Sequence, residues 1–206
     1  MSVAAVLLRT SNFAALRHGL QKRKGNGLPY IVHPIGVAHI LANEAHVDDV
    51  VVLQAALLHD VVEDTGTSIE LVRSEFGSAV AGVVAEVSDD KSLGKDERKR
   101  AQIAHASTIS REAKLVKLAD KLYNLRDLLV TPPVGWSPAR IHGYFVWALH
   151  VVAGMRGTNA VLEAELDKVF AGSISIDGVP RPVIPPHPPV AEQLEVYLAD
   201  MARSND

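Results

Sequence analysis

The chain contains no cysteine. That excludes a disulfide framework, a thiolate nucleophile and any cysteine-ligated metal. Aromatic residues are scarce, 5% of 206 residues, so each one that could stack on a ligand is worth following. An excess of one charge is missing too: 21 Lys and Arg stand against 24 Asp and Glu, a formal net charge of −3. Nucleic-acid binders are usually basic, so a nucleic-acid partner is not expected. No apolar run approaches the roughly 20 residues of a spanning helix. The longest, Val50–Leu58, stops at His59-Asp60. Met1–Leu8 is apolar but has no basic start, which does not suit a signal peptide. The expectation is a cytoplasmic protein with no membrane partner.

What is present is an ordinary globular composition, 48% hydrophobic and 22% charged. The positive charge is grouped. Residues 17–24, 91–100 and 111–126 together hold 14 of the 21 Lys and Arg. Such groups on a nearly neutral chain suit a small anion or, equally, solvated helix faces.

The periodicity is helical almost throughout, with Gly and Pro between segments, which predicts an all-α fold: a compact multi-helix bundle. Helices are expected over about 3–20, from Pro34, over 48–64, from Thr67 with a Thr67–Glu70 capping pair, and through Val80–Val87. More follow over Lys95–His105, from Ser110 to about Leu129, from Ser137-Pro138 to Gly154, and over Asn159–Phe170. Residues 171–189 carry six of the eleven prolines and read as an extended, Pro-rich linker. Beyond it, Val190, Leu194, Tyr197, Leu198 and Met201 form one apolar stripe on a short C-terminal helix. The expected organisation is a domain over 1–170, a linker over 171–189 and a terminal helix over 190–206.

The segment 48–64 poses a physical problem. Val50–Leu58 is apolar on every side, which marks a buried helix, yet it runs directly into His59-Asp60-Val61-Val62-Glu63-Asp64. Three carboxylates crowded at the end of a buried element repel one another, and unpaired buried charge is costly. A bound cation would relieve this, and so would a helix end in water at Gly66. A second polar intrusion is Asp120, set between Ala119 and Leu122, with Asn124 its i+4 neighbour and Lys117 and Lys121 as alternative salt-bridge partners. A third is His33, in Tyr30-Ile31-Val32-His33-Pro34. Facing helices of a bundle are where such groups assemble into metal sites.

A histidine, a later His-Asp doublet and a distant aspartate resemble the HD-domain metal phosphohydrolases. The longer motifs narrow the resemblance to the hydrolase domain of RelA/SpoT-type alarmone enzymes, in particular the small stand-alone animal form. These motifs are Arg23-Lys24, Pro29 to Pro34, Ala55 to Thr65, Asp89 to Arg100, Lys114 to Asn124, and Gly135 to Tyr144. The resemblance covers about residues 5–170 and implies an HD-domain bundle. It implies metal ligands His33, His59, Asp60 and Asp120, holding one Mn²⁺; the ligand chemistry alone also admits Fe²⁺ or Zn²⁺. It makes Glu63 and Asp64 the pair that positions water and shuttles protons.

It further assigns Arg23, Lys24, Tyr30, Lys95, Asn124, Arg140 and Tyr144 to a small anionic nucleotide. Trp136 reads instead as a hydrophobic staple at a helix start. The implied reaction is hydrolysis of the 3′-pyrophosphate of (p)ppGpp to GDP or GTP and pyrophosphate, with no synthetase domain attached. A phosphatase acting at the same site on the 2′-phosphate of NADPH is the alternative. A non-catalytic nucleotide-binding module would be expected to lack one of the six metal and acid/base positions, all of which are present. A homo-oligomer is compatible with all three.

Overall fold

The computed structural model describes residues 2–203. Met1 and the last three positions of the expected segment 190–206 lie outside the described residues. Among the described residues, eleven α-helices, a short π-helix over Ile40–Glu44 and one two-stranded hairpin follow in order. The helices are α1 (Val3–His18), α2 (Val32–His39), α3 (Val50–Leu58), α4 (Val61–Thr65), α5 (Ile69–Phe76), α6 (Ser78–Val87), α7 (Lys95–His105), α8 (Arg111–Val130), α9 (Pro138–Ala153), α10 (Ala160–Phe170) and α11 (Val190–Arg203). Strands β1 (Ser173–Ile176) and β2 (Val179–Pro182) lie between α10 and α11. Among the described residues no helix is long and apolar enough to cross a membrane.

Helix α3 is the axis of the bundle. Val52 through Leu58 are all buried, packed among α1, α2, α6 and α8. Asp49 opens it by accepting the Val51 N–H at 2.8 Å. Ser110, Ser137 and Asn159 cap α8, α9 and α10 in the same way. At α5 the cap is Ser68, which accepts the Leu71 N–H, and not the expected Thr67. The Thr67 hydroxyl is taken by Thr65 at 2.7 Å.

Two departures from the sequence expectation shape the site. The helix expected over 48–64 is broken. It ends at Leu58, turns through His59 and Asp60 (φ −100°, ψ −7°), and restarts as α4. A continuous helix would fan the doublet's side chains apart by 100°; the break brings them together. Helix α2 starts at Val32, so Pro34 falls within its first turn, where a missing N–H costs nothing. At Gly36 this helix meets Tyr123 of α8 so closely that a Cβ would lie 2.0 Å from the ring. Only glycine allows that approach.

The third departure concerns the tail. Residues 173–182 form an antiparallel hairpin instead of an extended linker. Asp177 and Gly178 form its two-residue turn, both with positive φ, as a type I′ turn requires. Ile174, Ile176 and Val183 are buried, so this segment contributes to the core. Its prolines 180 and 182 alternate with Val179 and Arg181, leaving every second residue free to donate across the ladder. Helix α11 then packs its stripe of Leu194, Tyr197, Leu198 and Met201 against α9 and α7. Glu195 holds Arg100 through two hydrogen bonds, 3.1 and 2.7 Å.

The tail's seat depends on Gly143 of α9, where an added Cβ would lie 2.4 Å from the Tyr197 ring. Gly143→Ala is expected to cost about 1–3 kcal/mol of stability, read as a lower urea midpoint. Gly82 in α6 has open space around its Cα. Gly82→Ala is expected to gain about 0.5–1 kcal/mol through helix propensity. Equal effects at the two positions would contradict the packing described.

Candidate active site

Four side chains from three elements converge at the break after α3: His33 from α2, His59 and Asp60 from the turn, and Asp120 from α8. Both imidazoles are buried. His33 Nε2 lies 3.1 Å from His59 Nε2, 3.4 Å from Asp60 Oδ2 and 3.2 Å from Asp120 Oδ1. His59 Nε2 lies 3.1 Å from Asp60 Oδ2 and 3.7 Å from Asp120 Oδ1. His59 Nδ1 sits 2.8 Å from the Ala56 carbonyl. A carbonyl only accepts, so Nδ1 carries the proton and the Nε2 lone pair points into the cluster.

The donor set fits a divalent metal. Ligands about 2.0–2.2 Å from a common ion stand about 3 Å apart when they meet at right angles; His33, His59 and Asp60 are spaced in that way, and Asp120 Oδ1 adjoins the two imidazoles at 3.2 and 3.7 Å. The electrostatics agree. Burial disfavours charge on Asp60 and Asp120, yet their cationic neighbours outweigh it and hold both carboxyls well below the usual range. His59 shows the converse. Burial opposes its charged form, but Asp60 and Asp120 raise its affinity for a proton well above the ordinary value. Two ionised carboxylates facing two imidazoles, of which His59 binds a proton tightly, are the donor set a divalent cation takes in place of that proton.

The carboxylates are themselves anchored. Tyr30 Oη donates to Asp60 Oδ2 at 2.6 Å. Burial, then the Asp60 charge, pushes the Tyr30 phenol upward, so it stays a donor. Lys121 Nζ donates to Asp120 Oδ2 at 2.9 Å and Asn124 Nδ2 to Asp120 Oδ1 at 2.6 Å. The two candidate ion-pair partners of Asp120 part ways: Lys117 instead donates to the Val87 carbonyl at 3.0 Å.

Glu63 and Asp64 lie on α4 and face different spaces. Glu63 lines the small recess, about 130 Å³, that contains the four donors. Its Oε1 accepts the Asp89 N–H at 2.6 Å. Burial, then the charge of Asp89, pushes its carboxyl up to about 7. Asp64 lines a larger neighbouring cavity of about 330 Å³, and Lys91 donates to its Oδ1 at 3.2 Å.

That larger cavity is the size of a nucleoside pocket. It shares Arg23, Tyr30 and Asn124 with the recess and adds Lys24, Trp136 and Tyr144. Five of the seven expected substrate residues therefore line it; Lys95 and Arg140 do not. Lys95 opens α7. Arg140 stacks over Trp136 with 4.7 Å to the ring centre. Arg23 is held in place by Asn124 Oδ1 at 2.9 Å and Asp127 Oδ2 at 2.8 Å. Trp136, expected to act as a staple, instead forms part of the cavity wall beside Tyr144, ring centres 5.8 Å apart. Asp127 is a wall residue that sequence reasoning missed, although it lies one turn beyond Asn124 on α8.

Comparison with known proteins gives consistent matches. The HD domain family matches residues 10–135. The guanosine-3′,5′-bis(diphosphate) 3′-pyrophosphohydrolase MESH1 of Danio rerio is 58% identical over 170 residues, 82% of this chain and 94% of that one. The Homo sapiens MESH1 is 56% identical, covering 82% and 95%. Among solved structures, a metazoan orthologue of SpoT that hydrolyses ppGpp superposes with a TM-score of 0.79 at 54% identity, over 81% of this chain and 94% of that one.

A metal site of this kind stabilises the fold when filled. With free Mn²⁺ as probe at about a hundredfold excess over its Kd, chelator-treated protein is expected to gain about 2.7 kcal/mol. His59→Ala is expected to lose most of that gain in thermal unfolding. Equal gains in parent and variant would put the ion elsewhere.

Proposed function

The chain belongs to the HD-domain family, among the MESH1-type pyrophosphohydrolases, and on that footing we propose that it hydrolyses the 3′-pyrophosphate of (p)ppGpp, releasing pyrophosphate and GDP or GTP. The observation that carries the proposal is the junction of a four-donor recess with a cavity of nucleoside size through Arg23, Tyr30 and Asn124. A nucleotide seated in the cavity presents a ribose-linked phosphate to the recess.

His33, His59, Asp60 and Asp120 are the proposed ligands of one Mn²⁺. Mixed imidazole and carboxylate donors suit such a borderline-hard ion, and also accept Fe²⁺ or Zn²⁺. When bound, the ion supplies Lewis acidity to a phosphoryl oxygen and lowers the pKa of water. Glu63 is the proposed proton acceptor. Its carboxyl is poised near neutrality, where a general base works best. Asp64, which lines the nucleotide cavity, orients the water with Glu63 and relays the proton that Glu63 takes toward the departing 3′-oxygen. Arg23, Lys24, Lys95 and Arg140 meet the phosphates, Asn124 bonds the ribose end, and Tyr30 and Tyr144 flank the nucleoside. The proposed hydrolase unit is residues 1–170, working on the cytoplasmic nucleotide pool, with the hairpin and α11 packed into its core as a support.

The test is a substrate panel on metal-loaded protein. Turnover of ppGpp to GDP and pyrophosphate is expected; NADPH, whose 2′-phosphate is also ribose-linked, is the comparison. Product from neither overturns the assignment. The pH dependence follows from Glu63. A raised carboxyl is protonated below its pKa and cannot accept, so kcat/KM is expected to rise with pH and level off above about 7. Glu63→Gln is expected to lower kcat by about 10²–10⁴-fold and abolish that limb. An unchanged profile would remove Glu63 from the role.

A further inference from the structure

The recess has a second neighbour. A cavity of about 270 Å³ shares Asp89, Gln102 and Lys117 with it, whereas the nucleoside-sized cavity joins it through Arg23, Tyr30 and Asn124. The metal donors therefore lie where two distinct spaces meet. One face of α7 lines the second space: Arg98, Ala101, Gln102 and His105, spaced i, i+3, i+4 and i+7.

Arg98 is the anomaly. It is half-buried, its Nε is shut off from water, and that atom has no hydrogen-bond partner. A desolvated guanidinium atom without an acceptor is costly, and such exceptions call for an explanation. The acids around it are already engaged. Glu86 accepts from the Ser110 N–H at 3.0 Å and from its hydroxyl. Asp89 accepts Gln102 Nε2 at 2.7 Å, and Asp90 accepts Ser92 N–H and Oγ at 2.9 and 2.7 Å. Lys117, buried between recess and cavity, adds a second cation that spends one N–H on Val87.

We infer that this second cavity receives the distal phosphate of a ribose-linked pyrophosphate, with Arg98 as the group that reads it and Lys117 at the passage from the recess. The inference rests on the pyrophosphohydrolase reading and deepens it. A monophosphate ends in the recess. A pyrophosphate reaches one phosphate further, toward a planar fork of donors suited to it. Arg98 is thereby a specificity determinant separating pyrophosphate esters from phosphate monoesters.

The experiment compares the parent with Arg98→Gln and Arg98→Lys. The first readout is the ratio of kcat/KM for ppGpp to that for NADPH. The second is the ratio of Kd for inorganic phosphate to that for inorganic pyrophosphate, by calorimetry on metal-loaded protein. Both ratios are expected to fall about tenfold or more in Arg98→Gln, the usual loss of a charge-assisted contact, and to recover partly in Arg98→Lys. The unfolding midpoint should hold, since no hydrogen bond of Arg98 is lost. Ratios unchanged, or both substrates weakened in parallel, would overturn the inference. If the parent turns over neither substrate, the proposed function fails on its own. The binding ratio then decides the cavity: a parental preference for pyrophosphate that Arg98→Gln loses supports the inference, and no preference in the parent overturns it.

Discussion

Two half-buried carboxylates held against two buried imidazoles are the constraint around which the rest of this molecule is arranged. Asp60 follows the end of α3, the most apolar helix of the protein, and Asp120 faces it from the middle of α8. Removing one partner from such a cluster leaves a half-buried charge uncompensated, which destabilises the fold. The surroundings are shaped to prevent that. Helix α3 breaks after Leu58 so that His59 and Asp60 face one point. Gly36 lets α2 close on Tyr123, which brings His33 within 3.2 Å of Asp120. Tyr30, Lys121 and Asn124 each donate to a carboxylate oxygen of the cluster.

The compensation extends outward to the tail. Lys121, charged beside Asp120, has its ammonium 4.7 Å from the centre of the Trp147 ring. Lys99 shares that ring, 3.5 Å from its centre, and lies 5.2 and 5.5 Å from Tyr144 and Tyr197. Burial, then the nearby Lys121 charge, lowers the Lys99 ammonium to about 7. Aromatic faces are what makes a desolvated ammonium tolerable there. One of the three rings comes from α11, which also holds Arg100 through Glu195. The terminal helix thus backs α7 and α9, and Tyr144 of α9 lines the nucleoside-sized cavity.

The sequence showed where polar groups interrupt apolar segments, and that was enough to point at His33, the His59-Asp60 doublet and Asp120. Periodicity alone could not show that the doublet sits on a break. Asp60 has helical neighbours on both sides, and only the convergence of three elements explains the turn. The hairpin at 173–182 was hidden by its prolines, which dominate the composition, although Asp177-Gly178 is a strong turn signal. Trp136 read as a staple because its partner, a cavity between α8 and α9, is a tertiary feature. Arg98 was legible only as one cation in a run of three. Its Nε lacks a partner because of what packs around α7, and no local pattern records that.

His33, His59, Asp60 and Asp120 are the proposed ligands of a single divalent ion. Crystals grown with Mn²⁺ and measured on both sides of the manganese absorption edge test this directly. One anomalous peak is predicted, within bonding distance of His33 Nε2, His59 Nε2, Asp60 Oδ2 and Asp120 Oδ1. A peak centred instead on Glu63 and Asp64, or no peak in the recess at all, would contradict it.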